Sequence, residues 1–161
     1  METEIEELIK KFYSKDGIQR KIARYELVKI GKSAVKYLSG LLQAPKEYIR
    51  WEAIKTLSQI ADPETIPILI NALENEDFDV RWMAAEGLID IGKESMKPLL
   101  KAVIKSKNPF YLLDGVHHVL KDLQFKNIFY DDAGLINKIE NHDLYSDIAL
   151  AAGELLAKYI V

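Results

Sequence analysis

Ile49-Arg50-Trp51-Glu52-Ala53-Ile54-Lys55-Thr56-Leu57-Ser58-Gln59-Ile60-Ala61 and Val80-Arg81-Trp82-Met83-Ala84-Ala85-Glu86-Gly87-Leu88-Ile89-Asp90-Ile91-Gly92 are two copies of one pattern, 31 residues apart. A third copy, whose Arg20 stands 30 residues before Arg50, ends at Gly31. Down the aligned columns a small residue recurs at Ala23, Ala53 and Ala84, leucine at Leu27, Leu57 and Leu88, and isoleucine at Ile30, Ile60 and Ile91. Inside each copy the apolar positions advance by three or four, the period of a helix with one buried stripe. A fixed repeat of about 30 residues built from such helices predicts a stack of supersecondary units, each covering its neighbour's apolar face. Gly31 and Gly92 suit the left-handed position that closes a helix.

A second helix is expected after each copy, over 33–43, 65–74 and 95–105. Pro67 and Pro98 fall in its first turn, where a missing N–H costs little. Breaks such as Ala44-Pro45-Lys46 and Asn75-Glu76-Asp77 separate the units. Beyond Pro109 the pattern weakens: Leu112, Val116, Leu120 and Leu123 match Val80, Ala84, Leu88 and Ile91, but Leu113 replaces the arginine. The expected architecture is therefore all-α, a right-handed α-α superhelix of about five stacked helix pairs in one domain, 1–161. Its clear repeats run over 18–45, 46–76 and 77–108, with a degenerate repeat at 109–141 and a terminal helix over 143–160. An opening helix spans 3–13.

The pattern Val/Ile-Arg-x-x-Ala-x-x-x-Leu-x-x-Ile-Gly followed by Pro-x-Leu resembles the HEAT-like repeat of the phycobilisome-lyase type. It is carried by Ile49-Arg50 through Pro67-Ile68-Leu69 and by Val80-Arg81 through Pro98-Leu99-Leu100. The resemblance implies a solenoid fold and leaves function open, since that family holds chromophore lyase subunits, a di-iron hydroxylase, DNA-repair proteins and adaptors. The hydroxylase branch places His-Glu pairs directly after the arginine. Trp51-Glu52 and Trp82-Met83 stand there instead, so that ligand set is missing. By the same resemblance, the recurrent arginine is a structural ladder pairing with acidic groups of neighbouring units.

Composition narrows the function. A formal net charge of −3 carries no basic surplus, which argues against a nucleic-acid partner. There is no cysteine, hence neither disulfide nor thiolate chemistry. The acidic start Met1-Glu2-Thr3-Glu4 lacks the basic flank of a signal peptide, and no apolar run approaches the roughly 20 residues of a membrane helix. A cytosolic protein without cofactor or membrane partner is expected.

No Gly-rich phosphate loop or nucleophile context occurs; Gly31-Lys32-Ser33 follows a helix and lacks the upstream glycine. The informative face lies opposite the apolar stripe. It carries Tyr48, Trp51, Glu52 and Lys55 in one unit, Phe78, Trp82, Met83 and Glu86 in the next, and Tyr111 and His118 after that. By the resemblance this face lines the concave side. Two tryptophans in one column, roughly 10 Å apart, would offer ring area to a partner. The surrounding carboxylates favour a peptide or protein with apolar and cationic groups. The plainer alternative is that the rings pack within the stack. An enzyme subunit of the same family, dependent on a chromophore or metal, is the alternative function.

Two further features call for a reading. Asp114, His118 and Asp122 share a helical face and could hold a divalent ion or form surface pairs. His117 lies nearer the apolar side, and His142 reads as a turn before the last helix. Lys93, Lys97, Lys101 and Lys105 form a stripe that is either a solvated face or an anion contact.

Overall fold

The computed structural model describes residues 2–107 and 109–158, and every regular element in them is helical. The elements are α1 (Glu2–Phe12), α2 (Gly17–Ile30), α3 (Val35–Leu41), α4 (Glu47–Ile60), α5 (Ile66–Ala72), α6 (Phe78–Ile91), α7 (Lys93–Lys105), α8 (Pro109–Phe125), α9 (Leu135–Glu140) and α10 (Tyr145–Lys158). Short 3-10 turns, Gly31–Ala34 and Pro63–Thr65, lead into α3 and α5. Aspartates start two of the first-type helices, α2 and α6. The Asp16 carboxylate accepts from the Ile18 N–H at 2.8 Å, and the Asp77 carboxylate accepts from the Asp79 N–H at 3.0 Å.

The first-type helices α2, α4, α6 and α8 lie side by side, each packed on the one before it. Helices α3, α5 and α7 run behind them as a second layer. This is the stacked-pair solenoid that the repeat implies. The recurrent small column explains the close approach, since Ala23, Ala53 and Ala84 are fully buried. Gly87 is tighter still: a Cβ there would lie 2.9 Å from the backbone Cα of Ser58 on α4. Leu27, Leu57 and Leu88 fill the space between layers with no exposure, each contributing about 1.5–3 kcal/mol on burial.

The terminal helices close the second layer. Helix α1 lays Ile5, Leu8 and Phe12 against α2 and α3. At the other end α10, rather than the six-residue α9, packs along α7, burying Ile148, Ala151, Ala152 and Leu155. The Tyr145 hydroxyl donates to the carbonyls of Val103 and Ser106, tying the start of α10 to the end of α7. Burial holds that phenol above the ordinary tyrosine value.

Three local expectations are corrected. Helix α7 starts at Lys93, one turn earlier than its counterparts, so Pro98 sits inside the helix and only Pro67 is in a first turn. The Ser95 hydroxyl donates to the Gly92 carbonyl at 2.7 Å, which favours this earlier start. Gly31 and Gly92 do not adopt the left-handed helical conformation; they combine φ of 69° and 76° with ψ of −135° and −131°, a region closed to side chains. The left-handed helical cap belongs to Ala61, at φ 48° and ψ 31°. An alanine strained there implies that Ala61→Gly raises stability by about 0.5–1 kcal/mol, readable as a higher urea midpoint at unchanged slope.

Candidate functional site

The recurrent arginine is a two-ended clamp. In all three copies one guanidinium nitrogen donates to the carbonyl six residues upstream: Arg20 to Ser14 at 2.9 Å, Arg50 to Ala44 at 2.9 Å, Arg81 to Asn75 at 2.8 Å. Those carbonyls lie in the loop entering each unit, so the contact fixes where the first-type helix begins. The forward end differs. Arg20 pairs with Glu52 at 3.3 Å and Arg50 with Asp77 at 3.7 Å, whereas Arg81 meets no acid among the described residues and places its guanidinium 4.4 Å from the Tyr111 ring centre. The acidic ladder thus covers two of the three arginines, and a cation–π contact serves the third.

Glu52 is the main correction to the predicted face. It is only 3% exposed, held between Arg20 and the buried Arg24, and cannot meet a partner. Its column points toward the preceding first-type helix and not outward. Met83, in the same column, is half-buried for the same reason, its carbonyl accepting from the Ser58 hydroxyl of α4.

The remaining residues divide into two groups. Trp51 is half-buried, with Lys55 at 4.3 Å and Arg24 at 5.5 Å from its ring, while Tyr48 sits under Arg20 at 5.1 Å. The second group is more open. Phe78 is 62% exposed and Trp82 is 42% exposed, their ring centres 6.1 Å apart on α6. Trp82 stacks on His118 of α8 at 4.4 Å with a 26° interplanar angle. His118 is in turn braced by the Glu86 carboxylate at 2.8 Å. Tyr111 and Arg81 complete the patch. Neither tryptophan is sealed in the core, and the wet ring area concentrates on α6 and α8.

Carboxylates surround this patch. Asp79, Asp90 and Asp114 are exposed, and oxygens of Glu47, Asp77 and Asp79 come within 4.8 Å of one another. Asp77 is already engaged by Arg50 and by the start of α6. Asp114, His118 and Asp122 do not converge: His118 turns to Glu86, and Asp122 lies 2.6 Å from the Lys126 ammonium. Spacing by four aligned the three along the helix, but their nearer partners draw them apart.

His117 is half-buried and meets Glu140 of α9 at 2.9 Å. Hydrogen bonds from Lys121 and then His117 hold the Glu140 carboxyl below its ordinary value. That contact is therefore intact above the ordinary carboxylate range and weakens as pH falls. His142 lies in the turn before α10 at φ 55°, and Lys93, Lys97, Lys101 and Lys105 are all exposed.

Sequence reasoning missed the His118–Trp82 stack, which needs the offset between α6 and α8 to be known. It also missed exposed apolar residues at the ends of the first layer: Ile18, Ile22 and Tyr25 on α2, and Phe110 on α8. No described helix is long and apolar enough to cross a membrane.

Comparison with known proteins agrees with this architecture. A family model of HEAT repeats matches residues 5–78 and, overlapping them, 35–121. Among solved structures, the complex of CpcE and CpcF of phycocyanin lyase from Nostoc sp. PCC7120 aligns with a TM-score of 0.62 at 22% identity, covering 94% of this chain and 99% of that one. An engineered protein aligns at a TM-score of 0.41 and 21% identity, over 95% of this chain and 78% of that one. No curated protein matches the sequence. At 22% identity the likeness to the lyase complex is one of fold alone.

Proposed function

This chain belongs to the HEAT-repeat family, and on that premise we propose that it is a protein-interaction module whose docking face is the aromatic patch of α6 and α8. One observation carries the reading: Phe78 and Trp82 stand in solvent on adjacent turns, with the Trp82 ring stacked on His118, which Glu86 in turn holds. Large rings fixed in place before binding lose little freedom when a partner covers them, and they are the residues that dominate binding energy at interfaces. Exposed Asp79, Asp90 and Asp114 give the rim a negative character, so the partner is a protein or peptide segment presenting apolar side chains beside lysine or arginine. The same rim repels a phosphate backbone. A cytosolic setting and an adaptor role belong to this proposal. Glu52 takes no part; Trp51, Tyr48 and Lys55 form its less exposed flank.

The test is partner affinity. With the partner recovered on the wild-type chain and then purified, Phe78→Ala combined with Trp82→Ala is expected to weaken binding by at least about 30-fold. Helical circular dichroism should be unchanged, because both rings are largely outside the core. Unaltered affinity would refute the reading.

A second reading rests on the fold match along nearly the whole of a phycocyanin lyase chain. In it the chain is a lyase-like subunit that presents the same rings to a linear tetrapyrrole. A bilin titration separates the two, since only this reading expects a saturable absorbance shift that Trp82→Ala abolishes.

A further inference from the structure

The first layer has two open ends, and their chemistries are complementary. Within the chain, each first-type helix uses the same columns to meet its predecessor. Arg20 of α2 contacts Tyr48 and Glu52 of α4, Arg81 of α6 contacts Tyr111 of α8, and Trp82 of α6 stacks on His118 of α8. By alignment, Ile18 stands in the column of Tyr48, Ile22 in that of Glu52, and Tyr25 in that of Lys55, Glu86 and His118. On the inner helices these columns are buried or half-buried at Tyr48, Glu52, Lys55, Met83, Glu86, Tyr111, Gly115 and His118, and exposed at Asp79. Among the described residues no first-type helix packs ahead of α2, since α1 packs behind it, and Ile18 and Ile22 are 68% and 44% exposed.

At the far end, α8 offers the reciprocal surface. Leu113 stands where Arg20, Arg50 and Arg81 stand in the other units, and Asp114 stands in the column of Trp82. Leu113, with Phe110 at 73% exposure, lines an open groove of about 470 Å³ between α8 and the α9–α10 turn. Asp114, Glu140 and Asp143 give that groove an acidic rim. The repeat's arginine is therefore lost at the one helix with no first-type successor, while the columns it would meet are isoleucine at the opposite end. Trp82 stacks on His118, so Asp114, in the Trp82 column, corresponds to a position facing Tyr25, and the exposed Lys21 holds its ammonium 5.7 Å from that ring. Terminal units of an isolated solenoid ordinarily carry a polar outer face, whereas these ends expose Ile18 and Ile22 at one side and Phe110 at the other amid their charged groups.

We propose that the chain associates head to tail with a second copy of itself, α2 of one copy seating in the α8 groove of the next. Ile18 and Ile22 meet Leu113 and Phe110, and Lys21 meets Asp114, so the first layer continues across the junction. Such a contact joins two different surfaces and can propagate beyond a dimer.

Sedimentation velocity over a range of concentrations tests this with Ile18→Glu, which spoils the α2 end, and Phe110→Glu, which spoils the α8 groove. Both positions are exposed, and circular dichroism verifies that each variant is folded. Wild type is expected to shift from monomer to dimer and larger species as concentration rises, and each variant alone to remain monomeric. An equimolar mixture of the two variants is expected to stop at dimer, because it holds one intact groove and one intact α2 end per pair. Wild type that stays monomeric at about 1 mM, near the weak limit of specific association, would overturn the proposal. So would association that survives either substitution, or a mixture that forms no dimer.

Discussion

Glu52→Ala is expected to lower the stability of the chain by about 3–5 kcal/mol, the largest effect of any single polar change here. The carboxylate is 3% exposed and serves two guanidinium groups of the preceding helix at once. Arg24 is itself 6% exposed, and its Nε has no hydrogen-bond partner, so Glu52 supplies the compensation for its charge. Removing the acid leaves a buried cation between α2 and α4, and the desolvation of that cation is no longer offset. A control isolates this cause. Arg24→Met combined with Glu52→Leu replaces the buried charges by apolar groups of similar length and should recover most of the loss. Arg20 would keep its bond to the Ser14 carbonyl in that variant. Urea titration of both proteins gives the comparison. A cost below about 1 kcal/mol for Glu52→Ala, the range of surface pairs, would mean that the clamp does not hold these helices together.

Gly87→Val is expected to cost about 3 kcal/mol, through overpacking instead of lost charge. A first side-chain carbon at Gly87 already falls 2.9 Å from the Ser58 Cα and Cβ and from Leu69 Cδ1. The Leu69 methyl can rotate aside, but the Ser58 backbone belongs to α4 and moves only with the whole helix. Valine adds two further methyl groups at the same place. Gly87→Ala should cost less, because the helix-propensity gain of about 1 kcal/mol offsets part of the clash. If valine were tolerated without loss, the approach of α4 to α6 would be looser than described.

The fold was legible in the sequence because the repeat states its own geometry. Ala53 with Ala84, Leu57 with Leu88 and Ile60 with Ile91 name the buried stripe twice, and the stack follows from it. What was not legible arises between helices. Glu52 looks like an outward-facing residue by helical phase alone, yet its column faces the preceding helix, where Arg20 and Arg24 wait. The arginine's bond to the carbonyl six residues upstream crosses a loop, and no periodicity reports on loops. Spacing by four puts Asp114, His118 and Asp122 on one helix face, but it does not report partners from outside that spacing: Glu86 of α6 takes His118, and Lys126 takes Asp122. Ile18 and Ile22 passed unnoticed for the opposite reason. They align with Tyr48 and Glu52, columns that the preceding first-type helix covers in the inner units and that nothing described covers on α2.

The docking face itself is most directly tested by mapping the bound partner. Amide hydrogen exchange and indole N–H chemical shifts, recorded with and without the purified partner, locate its footprint residue by residue. Protection and shift changes are expected at Phe78, Trp82, Glu86, Tyr111 and His118, with the α7 lysines unaffected. A footprint centred on Lys93, Lys97 and Lys101, with the Trp82 indole unmoved, would contradict this expectation.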